Sequence, residues 1–429
     1  MPDVSINAGF VPLLDCAPLL IAARGGFAQS EGVALTLSRE TSWATIRDRL
    51  SIAHLDVAHA LAPLPLAANL GLGPLGTSMI VPICFGTGAN TVTLARSHWD
   101  AMRDLGPPGD LDPNTHLQAL RAWFGKQRDE QRPPPVFGIV HPHSAHRYQL
   151  AYWLASAGLI PGRDVDFMVL PPALMPQALA SGRIDGFCAG EPWGAAAVAS
   201  GSGVILTTNA HIWRGSPEKV LAVNATWAEG HTEALLGLVR AIDRACAWCD
   251  DPANAQDLTK VLADSDVIGA HADLIGRSLT RALPGPDGTL HPVEGFLRFA
   301  GSAVNFPWVS HAQWFASQMV RWGDLAPDAL HADTIAATWR PDIYRAALAD
   351  GPADLPMANA KVEGALRHDT AVGSSRGRLH LAPDGFFDGR VFDPDDVAGY
   401  TAALRAADAA AKHDAPQDPG PDVGHDVGL

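Results

Sequence analysis

The chain has little of what would commit it to a disulfide framework, a membrane or a nucleic acid. Five cysteines in 429 residues, Cys16, Cys84, Cys188, Cys246 and Cys249, are too few and too scattered to staple a fold, which points to a reducing compartment. No apolar stretch reaches the roughly 18 to 20 uninterrupted residues of a membrane-spanning helix. The longest run, Leu13 to Ala23, is broken by Asp15 and Pro18 and closed by Arg24. Cations are in deficit, 31 Lys and Arg against 46 Asp and Glu, and the resulting charge of −15 repels a polyanion instead of releasing its counterions. Any role in nucleic-acid control is therefore expected to be indirect. No basic n-region, apolar h-region or cleavage site precedes the first strongly patterned segment, Gly9 to Leu19, so the cytoplasm is the expected location.

What is present is a large apolar fraction, 47%, enough for a core spread over two lobes. The first half alternates short apolar runs with amphipathic segments, which predicts α/β layering around a mostly parallel sheet. Candidate strands are Val4 to Phe10, Ala34 to Ser38, Asp56 to His59, Met79 to Cys84, Thr91 to Leu94, Val136 to Val140, Asp166 to Val169, Gly186 to Ala189, Val204 to Leu206 and Val220 to Val223. Helices are expected to start at Pro18, Ser42, Pro63, Ser144 and Pro192, where a proline or a capping hydroxyl stands ahead of an apolar pattern. A helix over Thr115 to Phe124 lies between two proline-rich stretches, Leu105 to Asn114 and Lys126 to Pro135. We expect lobe I to begin at 1–95, lobe II to occupy 96–215, and the chain to return to lobe I with a mainly helical extension over 216–350. That extension opens on a long helix from Thr232, with Leu235, Leu238, Val239, Ile242, Cys246 and Cys249 on one face. A C-terminal segment, 351–412, is expected to hold a small hairpin around Arg378 to Phe392 and a last helix from Asp395 to Lys412. The tail 413–429, rich in Asp, Pro and Gly, is expected to be disordered.

Four segments carry the parts of a small oxyanion site, which needs N–H donors converging from side chains and helix starts, usually with one cation. Ser42-Trp43 sets an indole donor in the first turn of a helix, and Ser144-Ala-His146 does the same for an imidazole. Gly190-Glu-Pro-Trp193 offers a bare amide before a helix, and Pro217-Glu-Lys219 sets an ammonium at the mouth of a strand. Taken singly, each has a structural alternative: a packed tryptophan, a locally satisfied histidine, a solvated lysine. His141-Pro-His143-Ser-Ala-His146 lacks a carboxylate at fixed spacing and reads as a polar loop ahead of a metal site. Cys246-Ala-Trp-Cys249 reads as core packing, and Gly71-Leu-Gly-Pro-Leu-Gly76 follows a helix and leads into a strand, the reverse of a dinucleotide loop.

Together with Asp15-Cys-Ala-Pro-Leu, Leu61-Ala-Pro-Leu-Pro-Leu-Ala67, Ser310-His-Ala-Gln-Trp-Phe315 and Met319-Val-Arg-Trp-Gly323, these segments resemble the nitrate- and bicarbonate-binding proteins of ABC importers. The resemblance runs to about Trp339. It implies a two-lobed, C-clamp-like class II periplasmic-binding-protein fold, with an anion held between the lobes by tryptophan, histidine and lysine side chains and a glycine amide. Carried over by motif, those positions are Trp43, His146, Lys219 and Gly190. The family's glutamine has no counterpart in Gly86-Thr-Gly-Ala-Asn-Thr91, where Asn90 is the nearest amide and Thr87 and Thr91 are the hydroxyl alternatives. Bicarbonate-binding relatives place an acidic residue with calcium where Lys219 stands, so the resemblance implies a bare anion without metal. With the expected location, it further implies a NasS-like sensor of nitrate or nitrite that sequesters a NasT-like antiterminator, an ANTAR-type RNA-binding response regulator, and releases it on binding ligand. A receptor for a nitrate importer is one alternative. An enzyme of precursor biosynthesis on a related fold is another, weakened by the missing cysteine-rich motif of the pyrimidine enzymes and by the lack of a clear acid/base pair, since Glu191 next to a helix start reads as structural.

Overall fold

The computed structural model describes residues 4–106 and 109–413. Ten strands form two five-stranded sheets. In chain order they are β1 (Val4–Phe10), β2 (Val33–Arg39), β3 (Val57–Leu61), β4 (Met79–Ile80), β5 (Asn90–Ala95), β6 (Val136–Ile139), β7 (Asp166–Val169), β8 (Gly186–Gly190), β9 (Gly203–Thr208) and β10 (Lys219–Asn224). The first sheet runs β2-β1-β3-β10-β4 and the second β7-β6-β8-β5-β9. Strands β3, β5, β8, β9 and β10 are buried along their whole length, which is why β3, β8 and β10 read as mostly apolar runs, whereas β5 alternates threonine with apolar residues although both its faces are covered.

The expected two-lobed α/β architecture is present, with several corrections. The sheets are mixed: β1 pairs parallel with β2 and β3, but β10 runs antiparallel to β3 and β4, and β5 antiparallel to β8 and β9. These two strands are where the chain passes between lobes. Because β5 lies in the second sheet, the first passage falls before Asn90 and not after residue 95. The run Met79 to Cys84 yields only a two-residue strand, since Pro82 has no N–H to give a ladder. The helix expected over Thr115 to Phe124 extends over Pro113–Asp129. Its last turn carries Lys126 and Arg128, cations that favour a helix C-terminus.

The extension is less helical than expected. Between the helices Ala272–Leu279 and Val309–Arg321, a segment dense in proline and glycine forms only a short hairpin, Ala282–Pro284 with Leu290–Pro292. The hairpin expected near Arg378 to Phe392 is built instead from Thr370–Ala371 and His380–Leu381. The last helix runs Val397–His413, and 414–429 lie outside the described residues.

Burial explains the remaining order. The six apolar positions assigned to one face of the helix Thr232–Asp250 are all buried, and that helix packs on Ala17–Arg24. An aromatic cluster ties the C-terminal segment to both lobes. Trp213 lies 4.6 Å from Trp314 and 5.0 Å from Phe386 between ring centroids, and Tyr152 lies 5.7 Å from both Trp314 and Phe386.

Candidate functional site

Every residue predicted for the site sits at a strand end or a helix start, where the chain presents unpaired backbone N–H groups. Ser42 caps the helix Trp43–Ser51 by accepting from the Thr45 N–H at 3.2 Å, which holds Trp43 in the first turn. Ser144 caps Ala145–Ser156 through the Arg147 N–H at 3.1 Å and so places His146. Asn90 opens β5 directly opposite Gly190, the last residue of β8. A Cβ added at Gly190 would stand 3.4 Å from Asn90 Oδ1 and 3.3 Å from Leu13, so a larger residue there would crowd the amide. Lys219 opens β10.

The structure brings these side chains together. Lys219 Nζ lies 5.4 Å from the centre of the Trp43 ring, donates to Asp15 Oδ2 at 2.8 Å and donates to Glu218 Oε1 at 2.9 Å. His146 Nδ1 is 3.3 Å from the same Glu218 oxygen. The Asn90 amide lies against Glu218 without completing a hydrogen bond of good geometry. Trp43, Asn90 and His146 are fully buried, and Lys219 is 1% exposed. Lysine as a solvated charge is thereby excluded.

Burial opposes the charge on Lys219, yet Asp15 and Glu218 outweigh it and hold the ammonium above the ordinary lysine pKa. Burial likewise works against Asp15, but Lys219 and His59 keep its carboxyl well below the usual range. Glu218 goes the other way, pushed up by burial more than its neighbours pull it down. Burial, then the nearby Lys219, drives His146 well below the ordinary imidazole value, so the ring is neutral near pH 7.

Several of these atoms have no hydrogen-bond partner among the described residues: Trp43 Nε1, both polar atoms of Asn90, both nitrogens of His146 and Glu218 Oε2. Buried polar groups are almost always hydrogen-bonded, so a cluster of them around one ammonium marks a place built to surround a polar ligand. The hydroxyl alternatives are occupied elsewhere, Thr87 on the Gly295 carbonyl at 3.3 Å and Thr91 on Glu191 Oε1 at 3.0 Å. Segment 294–303 closes the site from outside, with the Arg298 carbonyl accepting from the Thr87 N–H at 2.9 Å. Gly86, at φ +127°, permits this approach, since a Cβ there would collide with the Arg298 carbonyl.

Sequence reasoning missed Asp15, His59 and Glu218 as parts of the candidate site. His59 spends its Nε2 on Asp15 Oδ1 at 3.0 Å, and its place inside the apolar run of β3 was the available signal. Glu218 and Lys219 are neighbours that would face opposite ways within a strand, but the strand begins only at Lys219 and both converge.

Other motifs resolve structurally. His141 Nδ1 accepts from the His143 N–H at 3.0 Å and the His143 ring pairs with Tyr148, leaving these two rings 5.7 Å apart, while His146 lies against Glu218. Cys246 and Cys249 are buried thiols whose pKa burial pushes well up. Glu191 accepts from the Ala195 N–H and from Thr91 and lies 3.0 Å from the Ser278 hydroxyl, which makes it a buried clasp. The helix after it starts at Trp193, with Pro192 as its cap residue. Gly373-Ser-Ser-Arg-Gly377 has the spacing of a nucleophile elbow, but Ser375 bonds Asp354 and no helix follows. A cavity of about 730 Å³ lies between the helices Pro113–Asp129 and Val397–His413 and is lined by none of Trp43, Asn90, His146, Gly190 and Lys219.

Two mixed sheets that meet at a buried cluster of donors around one lysine define the class of two-lobed solute-binding proteins. The chain belongs to the NMT1-like family, whose model matches residues 1–263. It is 32% identical over 407 residues to the nitrate import ATP-binding protein NrtC of Synechocystis, covering 93% of this chain and 55% of that protein. It is 28% identical over 416 residues to the nitrate/nitrite binding protein NrtA of Synechococcus elongatus, covering 94% and 87% respectively. The crystal structure of the periplasmic nitrate-binding protein NrtA from Synechocystis superposes with a TM-score of 0.80 at 25% identity, over 94% of this chain and 98% of that one. The chain spans about half the length of the ATP-binding relatives it matches. Among the described residues no helix is long and apolar enough to cross a membrane.

Proposed function

We propose that the protein binds nitrate or nitrite between its lobes, through Trp43, Asn90, His146, Lys219 and the amide of Gly190. One observation carries this reading: buried N–H donors without partners among the described residues surround a single ammonium. A planar oxyanion accepts hydrogen bonds from every side and donates none, which suits that donor set. The names of NrtA and NrtC support the same ligand. Calorimetry with sodium nitrate, nitrite, bicarbonate and chloride tests it, and the expected result is nitrate binding that a chelator leaves unchanged. Calcium-dependent bicarbonate binding would overturn the ligand.

Trp43→Phe keeps most of the ring volume and removes the indole donor. We expect nitrate affinity to fall by roughly tenfold to a hundredfold, for a charge-assisted contact of about 1.5–3 kcal/mol, with little change in thermal stability. An unaltered Kd, or a variant that unfolds, would return Trp43 to a packing role.

For the biological role, the names of the relatives favour the receptor of a nitrate importer. A second reading is a sensor that holds a NasT-like antiterminator until nitrate arrives. It is favoured by the net charge of −15, which would steer a basic partner. Size-exclusion chromatography with the antiterminator separates the two. A sensor forms a complex that nitrate dissolves, with reciprocal weakening of roughly five- to 150-fold. A complex that survives saturating nitrate, or never forms, excludes the sensor.

A further inference from the structure

An anion bound by Trp43, Asn90, His146 and Lys219 would enter a site that already has excess negative charge. Asp15 and Glu218 both contact the Lys219 ammonium, and all three side chains are buried. His59 is tied to Asp15, and burial favours the neutral form of both His59 and His146. Two carboxylates against one ammonium leave one negative charge unbalanced, and a bound monoanion would make it two. Buried charge of that kind is costly enough that a group changes its protonation state instead. Among the described residues no further cation faces the cluster. Arg298 borders the adjoining cavity, but its guanidinium is turned onto its own loop, with Nε 3.0 Å from the Ala300 carbonyl and Nη2 3.1 Å from Ser302. Cys188 also faces Glu218 and is held as the neutral thiol by burial. Gln149 and Ser216, which bond each other, carry no charge.

Counting hydrogen bonds gives the same answer by an independent route. His146 Nδ1 lies 3.3 Å from Glu218 Oε1 without completing a hydrogen bond, and among the described residues neither ring nitrogen has a hydrogen-bond partner. A neutral imidazole has a single N–H. With Glu218 ionised, the ring would face a carboxylate at one nitrogen and the bound anion at the other, so either tautomer sets a lone pair against an anionic oxygen. One added proton between Oε1 and Nδ1 removes the conflict, because Nε2 then keeps its N–H for the anion. Asp15 is not the carrier, since Lys219 and His59 already satisfy its two oxygens.

We propose that the protein takes up one proton with each bound nitrate, held between Glu218 Oε1 and His146 Nδ1, so that Glu218 sets the pH dependence of affinity. This rests on the anion-binding reading of the same site. The sign follows from linkage. The anion favours the protonated pair, so affinity rises as pH falls through the pKa of the complex, by at most about tenfold per pH unit for one proton. It levels off where the free protein is itself protonated at the pair.

The test is calorimetry with sodium nitrate in phosphate and in Tris, from about pH 6 to about pH 8.5, where the difference in heat between buffers counts protons. The wild type should take up about one proton per nitrate and weaken steadily toward high pH. Glu218→Gln can present an amide N–H to His146 Nδ1, so it should bind without proton uptake, independently of pH and more tightly than wild type at the alkaline end. The wild-type proton count does not depend on that variant folding. Nitrate binding by the wild type with no proton uptake and a flat pH profile would overturn the proposal and leave the anion site standing. Full proton uptake by Glu218→Gln would overturn it too, by assigning the proton elsewhere. No nitrate heat from the wild type at any pH would sink the anion site itself, and this proposal with it.

Discussion

Replacing Lys219 with Met should abolish measurable nitrate binding and lower the unfolding free energy by about 3–5 kcal/mol. The stability loss arises because Lys219 balances two buried carboxylates at once, Asp15 at 2.8 Å and Glu218 at 2.9 Å. Removing the ammonium leaves both without a cation in a site closed to water. The binding loss has two causes. The anion loses a charge-assisted contact of about 1.5–3 kcal/mol and meets carboxylates no longer neutralised by a neighbour. A double variant separates fold from function. Lys219→Met with Asp15→Asn removes charge from both sides and should recover much of the stability, measured by urea unfolding, while nitrate binding stays lost. Nitrate affinity within threefold of wild type in the folded single variant would remove Lys219 from the site, by the rule that about 1.4 kcal/mol is tenfold.

Asp408→Ala should cost a similar amount of stability, about 3–5 kcal/mol, without changing nitrate affinity. Arg321 and Asp408 form a bidentate pair at 2.8 and 2.7 Å, with the arginine side chain 3% exposed. The pair fastens the last helix, Val397–His413, to Val309–Arg321. The guanidinium also lies 4.5 Å from the centre of the Trp322 ring, so once its carboxylate is gone it is left with aromatic stacking and a 3.4 Å contact with Gln318 Oε1. Neither residue touches the anion site. The expected result is a lower melting temperature and an unchanged Kd at a temperature where the variant is folded. Arg321→Met combined with Asp408→Leu should bring stability back toward wild type, since well-packed apolar residues often replace a buried ion pair at no loss. An unchanged melt for Asp408→Ala would mean that the aromatic contacts of Trp213, Trp314 and Phe386 anchor this segment by themselves.

How much of the molecule could be read in advance depended on whether a feature was local. Capping is local, and Ser42 and Ser144 cap the helices expected of them. Helical periodicity is local, and the face from Leu235 to Cys249 is buried. Strand cores were legible as apolar runs, though their ends shifted by one or two residues, and Pro82 cut one of them short. Strand direction was not legible. An apolar run reads the same whether its neighbour runs parallel or antiparallel, so the reversal of β5 and β10, and the sheet to which β5 belongs, came only from the long-range pairing.

By itself, the sequence determined the two-lobed α/β class, most helix starts and the residue types available for an anion site, because short-range propensity, burial pattern and shared motifs set these. Only the tertiary structure decided the electrostatic character of that site. Asp15, His59, Glu218 and Lys219 are drawn from three separate stretches of the chain, and the bonds joining them link residues 44 and 204 positions apart. Their charges matter only because the fold removes them from water together, where the field of each sets the protonation of the others. A lysine in a sequence carries no record of the carboxylates that will surround it. The meeting of β3 and β10 in one sheet, over the loop that follows β1, supplies them.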